Sequence, residues 1–291
     1  MEPFDFVSPS SIEEAVKTLA SKGDQARIMA GGTDMLVQMR AGRRTAPLVV
    51  DIKGIPELNE ISYDASKGLT LGAAVPCYEI YQNNTVADAY PGLMDSASLI
   101  GGIQIQGRAS IGGNICNAAP SGDSIPAAIA LSGVCNIAGP NGTRQLPVEE
   151  MCTAPGRNAL ENGELLVSVS FPAPQANSGA SYLRFIPRNE MDIAVAGVGS
   201  SVQLDASGQN FVSARISLAS VAPTPVFAKE AGDSLAGKPV NEENIQAASD
   251  LAQAAAKPIS DMRGTVRQRT HLIGVLTRRT LNNAIERAKG G

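Results

Sequence analysis

Apolar residues recur three and four apart over residues 10–21, where Ile12, Ala15, Val16 and Leu19 make one stripe and predict a helix. Ser10 and Ser11 offer N-caps with Glu13 and Glu14 three residues on, as in a capping box. The pattern then shortens. "ARIMA" (26–30) reads as a short buried strand, and "GGTD" (31–34) breaks it. "MLVQMRAG" (35–42) reads as a helix ending near Gly42, and "PLVVDI" (47–52) as a second strand. The first 57 residues or so predict a small βαβαβ unit with a glycine turn at a strand-to-helix junction.

Further on, "GLTLGAAVP" (68–76) is strand-like, and residues 77–99 predict one or two helices interrupted near Pro91-Gly92. "ASIGGNICN" (109–117) reads as strand, glycine break, strand, and "DSIPAAIAL" (123–131) as a helix. "VCNIAG" and "ELLVSVSFP" add strands, and "PAPQANSG" (172–179) marks a boundary. Beyond it, "SYLRFIP", "IAVAGVGSSVQLD" and "FVSARISLASV" predict three neighbouring antiparallel strands joined by turns at "RNEMD" and "ASGQN". Helices are expected at 225–236, 241–256 and 265–288. In the last, Leu281, Ala284, Ile285 and Ala288 hold one face. A sheet covered by helices on one side is an α+β layer. The expected units are 1–57, 58–175 and 176–291.

With 43% hydrophobic and 18% charged residues, the 291-residue chain suits a globular protein with a proper core. A net charge of −4 gives no reason to expect nucleic acid or an anionic membrane as partner. No apolar run approaches the roughly 20 residues of a membrane span. "MEPFDFVSPSS" has neither the basic start nor the apolar core of a signal peptide, so a cytoplasmic protein is expected. Cys77, Cys116, Cys135 and Cys152 form no C-x-x-C, which leaves structural zinc and iron–sulfur clusters without support. His271 is the single histidine and lies in a helical pattern, where a surface or capping role outweighs catalysis. Chemistry in this chain would come from a cofactor. Residues 261–291 hold seven basic residues (Arg263, Arg267, Arg269, Arg278, Arg279, Arg287 and Lys289) against Asp261 and Glu286. That reads as a solvated helix face or, more sharply, as a docking face for another subunit.

Two glycine loops stand out, "AGGTD" (Ala30, Gly31, Gly32, Thr33, Asp34) and "SIGGN" (Ser110 to Asn114, with Gly112 and Gly113). Paired glycines let a ligand approach the main chain and let φ turn positive. Successive amides then form an anion-binding nest, reinforced where a helix begins. Neither loop is a G-x-G-x-x-G fingerprint or a lysine-bearing P-loop. Together, two such nests can cradle one pyrophosphate from both sides. Asp123 opens the following helix, where it can cap the helix or accept from a ribose or adenine group.

"IMAGGTDMLVQMR", "ASIGGNICNAAPSGDSIPA" and "RFIPRNEMDIAVAGVG" together resemble the FAD-binding medium subunit of molybdenum-containing hydroxylases, the family of xanthine dehydrogenase flavin domains and carbon monoxide dehydrogenase medium subunits. The resemblance covers nearly the whole chain. It implies two N-terminal α/β subdomains of the vanillyl-alcohol-oxidase type, which form an FAD-binding domain, and a C-terminal antiparallel sheet covered by helices. It implies FAD with its pyrophosphate between the loops, held by Ala30, Gly31, Gly32, Thr33 and Asp34 and by Ser110, Gly112, Gly113 and Asn114. Ile100 and Gly101 match the segment that lines the cofactor. Asp123 matches an acid at the ribose or adenine end, Leu166 an apolar contact, and Arg184 a basic residue near the cofactor. The implied partners are a large molybdopterin subunit and a small subunit with two 2Fe–2S clusters, as a dimer of heterotrimers. This chain would then pass electrons to an acceptor: NAD, a quinone, oxygen or a carrier protein. Carbon monoxide dehydrogenases tend to carry His-Ser where this chain has Thr33-Asp34, which weakens an assignment to carbon monoxide and leaves FAD untouched. The scattered cysteines argue against the cluster insert of aromatic acyl-CoA reductases. The alternatives are a stand-alone FAD-dependent oxidase or reductase of the same superfamily, and a module that holds a nucleotide without redox work.

Overall fold

The computed structural model describes residues 1–189 and 191–290. The chain opens with β1 (Asp5–Val7), α1 (Ile12–Lys22), β2 (Ala26–Met29), α2 (Met35–Arg40) and β3 (Leu48–Asp51). These strands stand in the order β1-β3-β2 with both pairings parallel, which their helical connections make possible. Ser11 is the N-cap of α1 and its hydroxyl accepts from the Glu14 amide at 3.2 Å. The Glu14 carboxylate reaches back to the Ser10 amide, one residue before the N-cap, at 2.8 Å, a variant of the expected capping box.

The next stretch supplies β4 (Ile61–Asp64), β5 (Gly68–Gly72), α3 (Cys77–Gln82), α4 (Asn84–Ala89), α5 (Pro91–Ala97), α6 (Ile103–Gln106), α7 (Ile111–Asn117) and α8 (Ser124–Ala130). β6 (Val134–Gly139), β7 (Gly142–Pro147), α9 (Val148–Met151), a ribbon of β8 (Cys152–Ala154) and β9 (Arg157–Asn158), and β10 (Leu165–Phe171) follow. An antiparallel sheet forms in the order β4-β5-β10-β6-β7. Its inner face, with Leu69, Leu71, Ile137 and Val169, packs on Ile80, Leu93, Ile115 and Ile129 of the helices.

Several expectations change here. Residues 77–99 hold three helices, because Asn83 caps α4 through the Val86 amide and Pro91 starts α5. "ASIGGNICN" is not strand, break, strand. The Ser110 hydroxyl accepts from the Gly113 amide at 3.0 Å and nucleates α7, with Ile111 and Ile115 buried one turn apart. The strand read at 68–76 stops at Gly72.

Residues 178–227 build an antiparallel sheet from β11 (Ser178–Phe185), β12 (Ala196–Leu204), β13 (Phe211–Ala219) and β14 (Val226–Phe227), in that order. The turn expected at 188–192 includes Glu190, which lies outside the described residues. α10 (Lys229–Asp233), α11 (Glu242–Ala255) and α12 (Val266–Ala288) follow, so the helix expected over 225–236 begins with a strand instead. Strand alternation splits β12 between two helical neighbours. Ser200 meets Thr280 of α12 at 2.7 Å, while Ser201 donates to the Ala130 carbonyl at the end of α8 at 2.6 Å. On the α8 side, a Cβ on Gly199 would lie 2.6 Å from the Pro126 carbonyl oxygen. The sheet is therefore helix-covered on both faces, and the second cover comes from α8 of the N-terminal half. Arg287 of α12 grips both Asp95 oxygens on α5, at 2.6 and 2.9 Å, across the same seam. Among the described residues no helix is long and apolar enough to cross a membrane.

Candidate functional site

The two glycine turns abut. A Cβ on Gly31 would lie 2.1 Å from the Arg108 carbonyl oxygen, so the first turn rests main chain to main chain on the entry to the second. Gly112 is likewise closed in, 2.4 Å from the Ala73 carbonyl oxygen, which sets α7 against the end of β5. Gly32 serves its backbone: φ is +75°, a region costly for residues with a Cβ. Gly113 differs from these three. Its Cβ would meet only the Ser110 hydroxyl, at 3.0 Å.

Both turns open into one cleft of about 820 Å³, within the range of small-molecule sites. Ala30, Gly31, Gly32, Thr33 and Asp34 line one side, and Ser110, Gly112, Gly113 and Asn114 the other. Ile100 and Leu166 add apolar wall. α2 takes its first helical bond at the Gly32 carbonyl, so the Thr33 and Asp34 amides precede the bonded ladder. The Gly112 amide holds the same place in α7, while Ile111 is buried away from the cleft. Burial raises the Asp34 carboxyl above the usual carboxylate range.

Gly101, Asp123 and Arg184 do not line this cleft. Gly101 turns the chain between α5 and α6 at φ +62°. Asp123 makes no side-chain cap on α8, so the capping reading fails. Its carboxylate instead accepts from the Tyr182 hydroxyl at 2.7 Å and from Arg184 at 2.6 Å, both on β11. The neighbouring Ser124 hydroxyl donates to Asn114 at 2.8 Å, which links this buried pair to the second turn. Burial pushes the Asp123 carboxyl up to about 6, against the pull of Arg184 and Tyr182. The folded chain therefore holds this proton more tightly than the unfolded chain, whose carboxyl titrates near 3.8. Stability from this group is full below about pH 4 and is lost as pH climbs through about 6. Asp123→Asn is expected to flatten that slope, read as urea midpoints at several pH values across the window.

Some contributors carry no signal in the sequence. Arg108 donates to the Gly31 and Ala30 carbonyls, both at 3.3 Å, and so pins the first turn to the second. Gln38 of α2 donates to Asn117 of α7 at 3.2 Å. Arg44 and Arg157 line the cleft, and neither is in an ion pair among the described residues. Arg44 reaches the Gly156 carbonyl across 112 residues, a contact no local pattern foretells. Three cations of the cleft lining with no carboxylate partner among the described residues, Arg27, Arg44 and Arg157, beside the helix-start amides of both turns suit a polyanion such as a pyrophosphate.

All four cysteines are free thiols, and burial raises Cys77 to about 12 and Cys152 to about 11. Among the described residues no group of three or more His, Cys, Asp or Glu could hold a metal ion. His271 is exposed on α12. The basic C-terminal segment is not one face. Arg269 and Arg287 are spent on Asp261 and Asp95, and Arg278 bonds Ser249 at 3.3 Å.

Comparison with known proteins agrees with this geometry. Residues 2–174 match the FAD binding domain in molybdopterin dehydrogenase, and residues 181–284 the CO dehydrogenase flavoprotein C-terminal domain. Over 291 residues the chain is 31% identical to the xanthine dehydrogenase FAD-binding subunit of Escherichia coli O157:H7, covering 99% of each. It is 32% identical over 286 residues to the carbon monoxide dehydrogenase medium chain of Afipia carboxidovorans, covering 98% of each. A solved Cu,Mo carbon monoxide dehydrogenase in its cyanide-inactivated form superposes with a TM-score of 0.93 at 31% identity, over 99% of this chain and 100% of that one. Quinoline 2-oxidoreductase from Pseudomonas putida 86 gives 0.90 at 27%, over 99% and 98%. Both halves of the chain, in order and at full length, thus place it in the family of FAD-binding medium subunits of molybdopterin dehydrogenases, the flavoproteins of the xanthine and carbon monoxide dehydrogenase type.

Proposed function

We propose that this chain is the electron-transfer subunit of a molybdenum-containing hydroxylase or dehydrogenase, taking electrons from 2Fe–2S clusters of a partner subunit and passing them to an external acceptor. The observation that carries the reading is the joint opening of the two glycine turns into one cleft, with the Gly113 position met by the Ser110 hydroxyl alone. Bound FAD supplies the redox chemistry. The amides of Thr33, Asp34 and Gly112 would hold its diphosphate, and Arg44 and Arg157 would offset the charge. Asp34 offers a carboxyl to a hydroxyl group. Ile100 and Leu166 shed water from the apolar parts of the cofactor. Asp123 and Arg184 hold the far end of the site against the C-terminal sheet, and Gly101 shapes the turn beside it.

The units 1–57, 58–175 and 176–291 follow the three larger sheets, and the first two together hold the cofactor. A large molybdopterin subunit and a small 2Fe–2S subunit complete the assembly, as a dimer of heterotrimers in the cytoplasm. Purification from the native host tests this. A yellow chain that travels with two further subunits, iron and molybdenum is expected. A yellow monomer that oxidises a substrate unaided would favour the stand-alone oxidase, and a colourless chain would contradict both.

A further inference from the structure

One surface feature has no part in the cofactor cleft. Asp261 to Gly264 form a tight turn, and Met262 at its tip is 94% exposed. The turn is built rigidly. The Asp261 carboxylate accepts from the Arg263 amide at 2.8 Å, from the Gly264 amide at 3.2 Å and from the Arg269 guanidinium at 2.8 Å. Arg269 is itself buried and donates to the Val195 and Ser220 carbonyls, both at 2.8 Å, which fixes the turn to the ends of β12 and β13. A methionine held out in water on such a support gains nothing for the fold.

Its neighbours extend the patch. Gly264 lies against Val195, and Ile193, two residues earlier, is exposed. Met191 is exposed and left-handed at φ +54°, a strained state for a side chain of that size. Its sulfur lies 3.1 Å from the Cβ position of Gly102, beside Ile103, which is 73% exposed. Exposed apolar side chains thus stand at Met262, Ile193, Met191 and Ile103, on segments joined by the Gly264–Val195 and Gly102–Met191 contacts. Among the described residues the unpaired charge of the patch is positive. Asp261 is paired with Arg269 and Asp192 with Arg188, while Lys257, Arg263 and Arg267 are exposed and in no ion pair among the described residues. Exposed methionine and isoleucine ringed by arginine is the composition of a protein contact.

We infer that this patch docks a separate protein subunit of the same complex, one that presents an apolar socket rimmed by carboxylates, with Met262 as the inserted knob. The inference rests on the proposed reading of the chain as one subunit of a larger assembly. A second copy of this chain is disfavoured as occupant, because a two-fold contact through the patch would set Arg263 and Arg267 against their own copies. The pre-built turn lowers the ordering cost of the contact.

The test uses the chain co-expressed with its partner subunits and purified through a tag on a partner. Met262→Asp, and separately Arg263→Glu with Arg267→Glu, are expected to weaken co-purification at least about tenfold, with flavin per chain unchanged. The wild-type contact is expected to weaken as salt rises. Val212→Asp, at the other end of β13, is expected to leave assembly intact. Wild-type assembly of both patch variants would overturn the inference, as would equal loss with Val212→Asp. So would a wild-type self-dimer, or binding to anionic vesicles, that Met262→Asp abolishes. Loss of flavin from the wild-type complex would instead strike the cofactor reading, so the two failures are distinguishable.

Discussion

Gly113→Val is expected to empty the chain of flavin and leave it folded. The added Cβ meets only the Ser110 hydroxyl, at 3.0 Å, and its methyls stand in the cleft between the two turns. The protein loses at most the Ser110 cap, about 1 kcal/mol. The ligand loses the space nearest the main chain, and a penalty of about 1–3 kcal/mol is usual for overfilling a packed site. Flavin affinity should fall at least about tenfold, since ~1.4 kcal/mol is one decade. Flavin absorbance per chain and the melting temperature of the flavin-free protein check both halves of the expectation. Gly32→Val is expected to expel flavin too, but it also forces a β-branched residue to φ +75°, so its melting temperature should drop as well. Gly31→Ala should behave as a folding variant, because the clash at 2.1 Å is with main chain.

Arg184→Met is expected to be the most destabilising single change at the seam between the FAD-binding half and the C-terminal sheet. The Arg184 and Asp123 side chains are 7% and 9% exposed, and their closest atoms are 2.6 Å apart. Removing one partner leaves a buried charge uncompensated, which typically costs about 3–5 kcal/mol. In a chain of this size that lowers the melting temperature by roughly 10 °C. Adding Asp123→Leu to Arg184→Met should recover much of the loss, because no charge is then stranded. Urea unfolding of the flavin-free chain above about pH 6 reads it. Additive losses in the double variant would show that the pair is not coupled.

Much of this architecture was legible in the sequence, and particular residues show why. The apolar stripe of α1, the strand-like runs of β12 and β13 bounded by turn residues and the i, i+4 face of α12 are local patterns, and each element lies where its pattern predicts it. The glycine turns were legible as places where main chain is approached closely. What approaches them was not. Gly31 and Gly112 are glycines because Arg108 and Ala73 press on them, and those contacts come from distant parts of the chain. The second turn was read as a break between strands because the Ser110 cap, one hydroxyl on one amide, leaves no periodic trace. Asp123 reads from the sequence as a helix-start residue, a cap or an acceptor from a ribose or adenine group, and the cap is the alternative that the structure removes. Its true partners, Tyr182 and Arg184, sit some 60 residues on, and only the docking of β11 reveals them. Arg44, Arg108 and Arg157 became visible only when the chain closed around the cleft.

The central claim is that two abutting turns, stripped of side chains, grip one diphosphate. The most direct measurement is a crystallographic map of the flavin-loaded protein. The phosphate oxygens are expected within about 3 Å of amides from both turns, Thr33 and Asp34 on one side and Gly112 on the other. Phosphates bound at one turn alone, or a flavin seated outside the cleft, would contradict it.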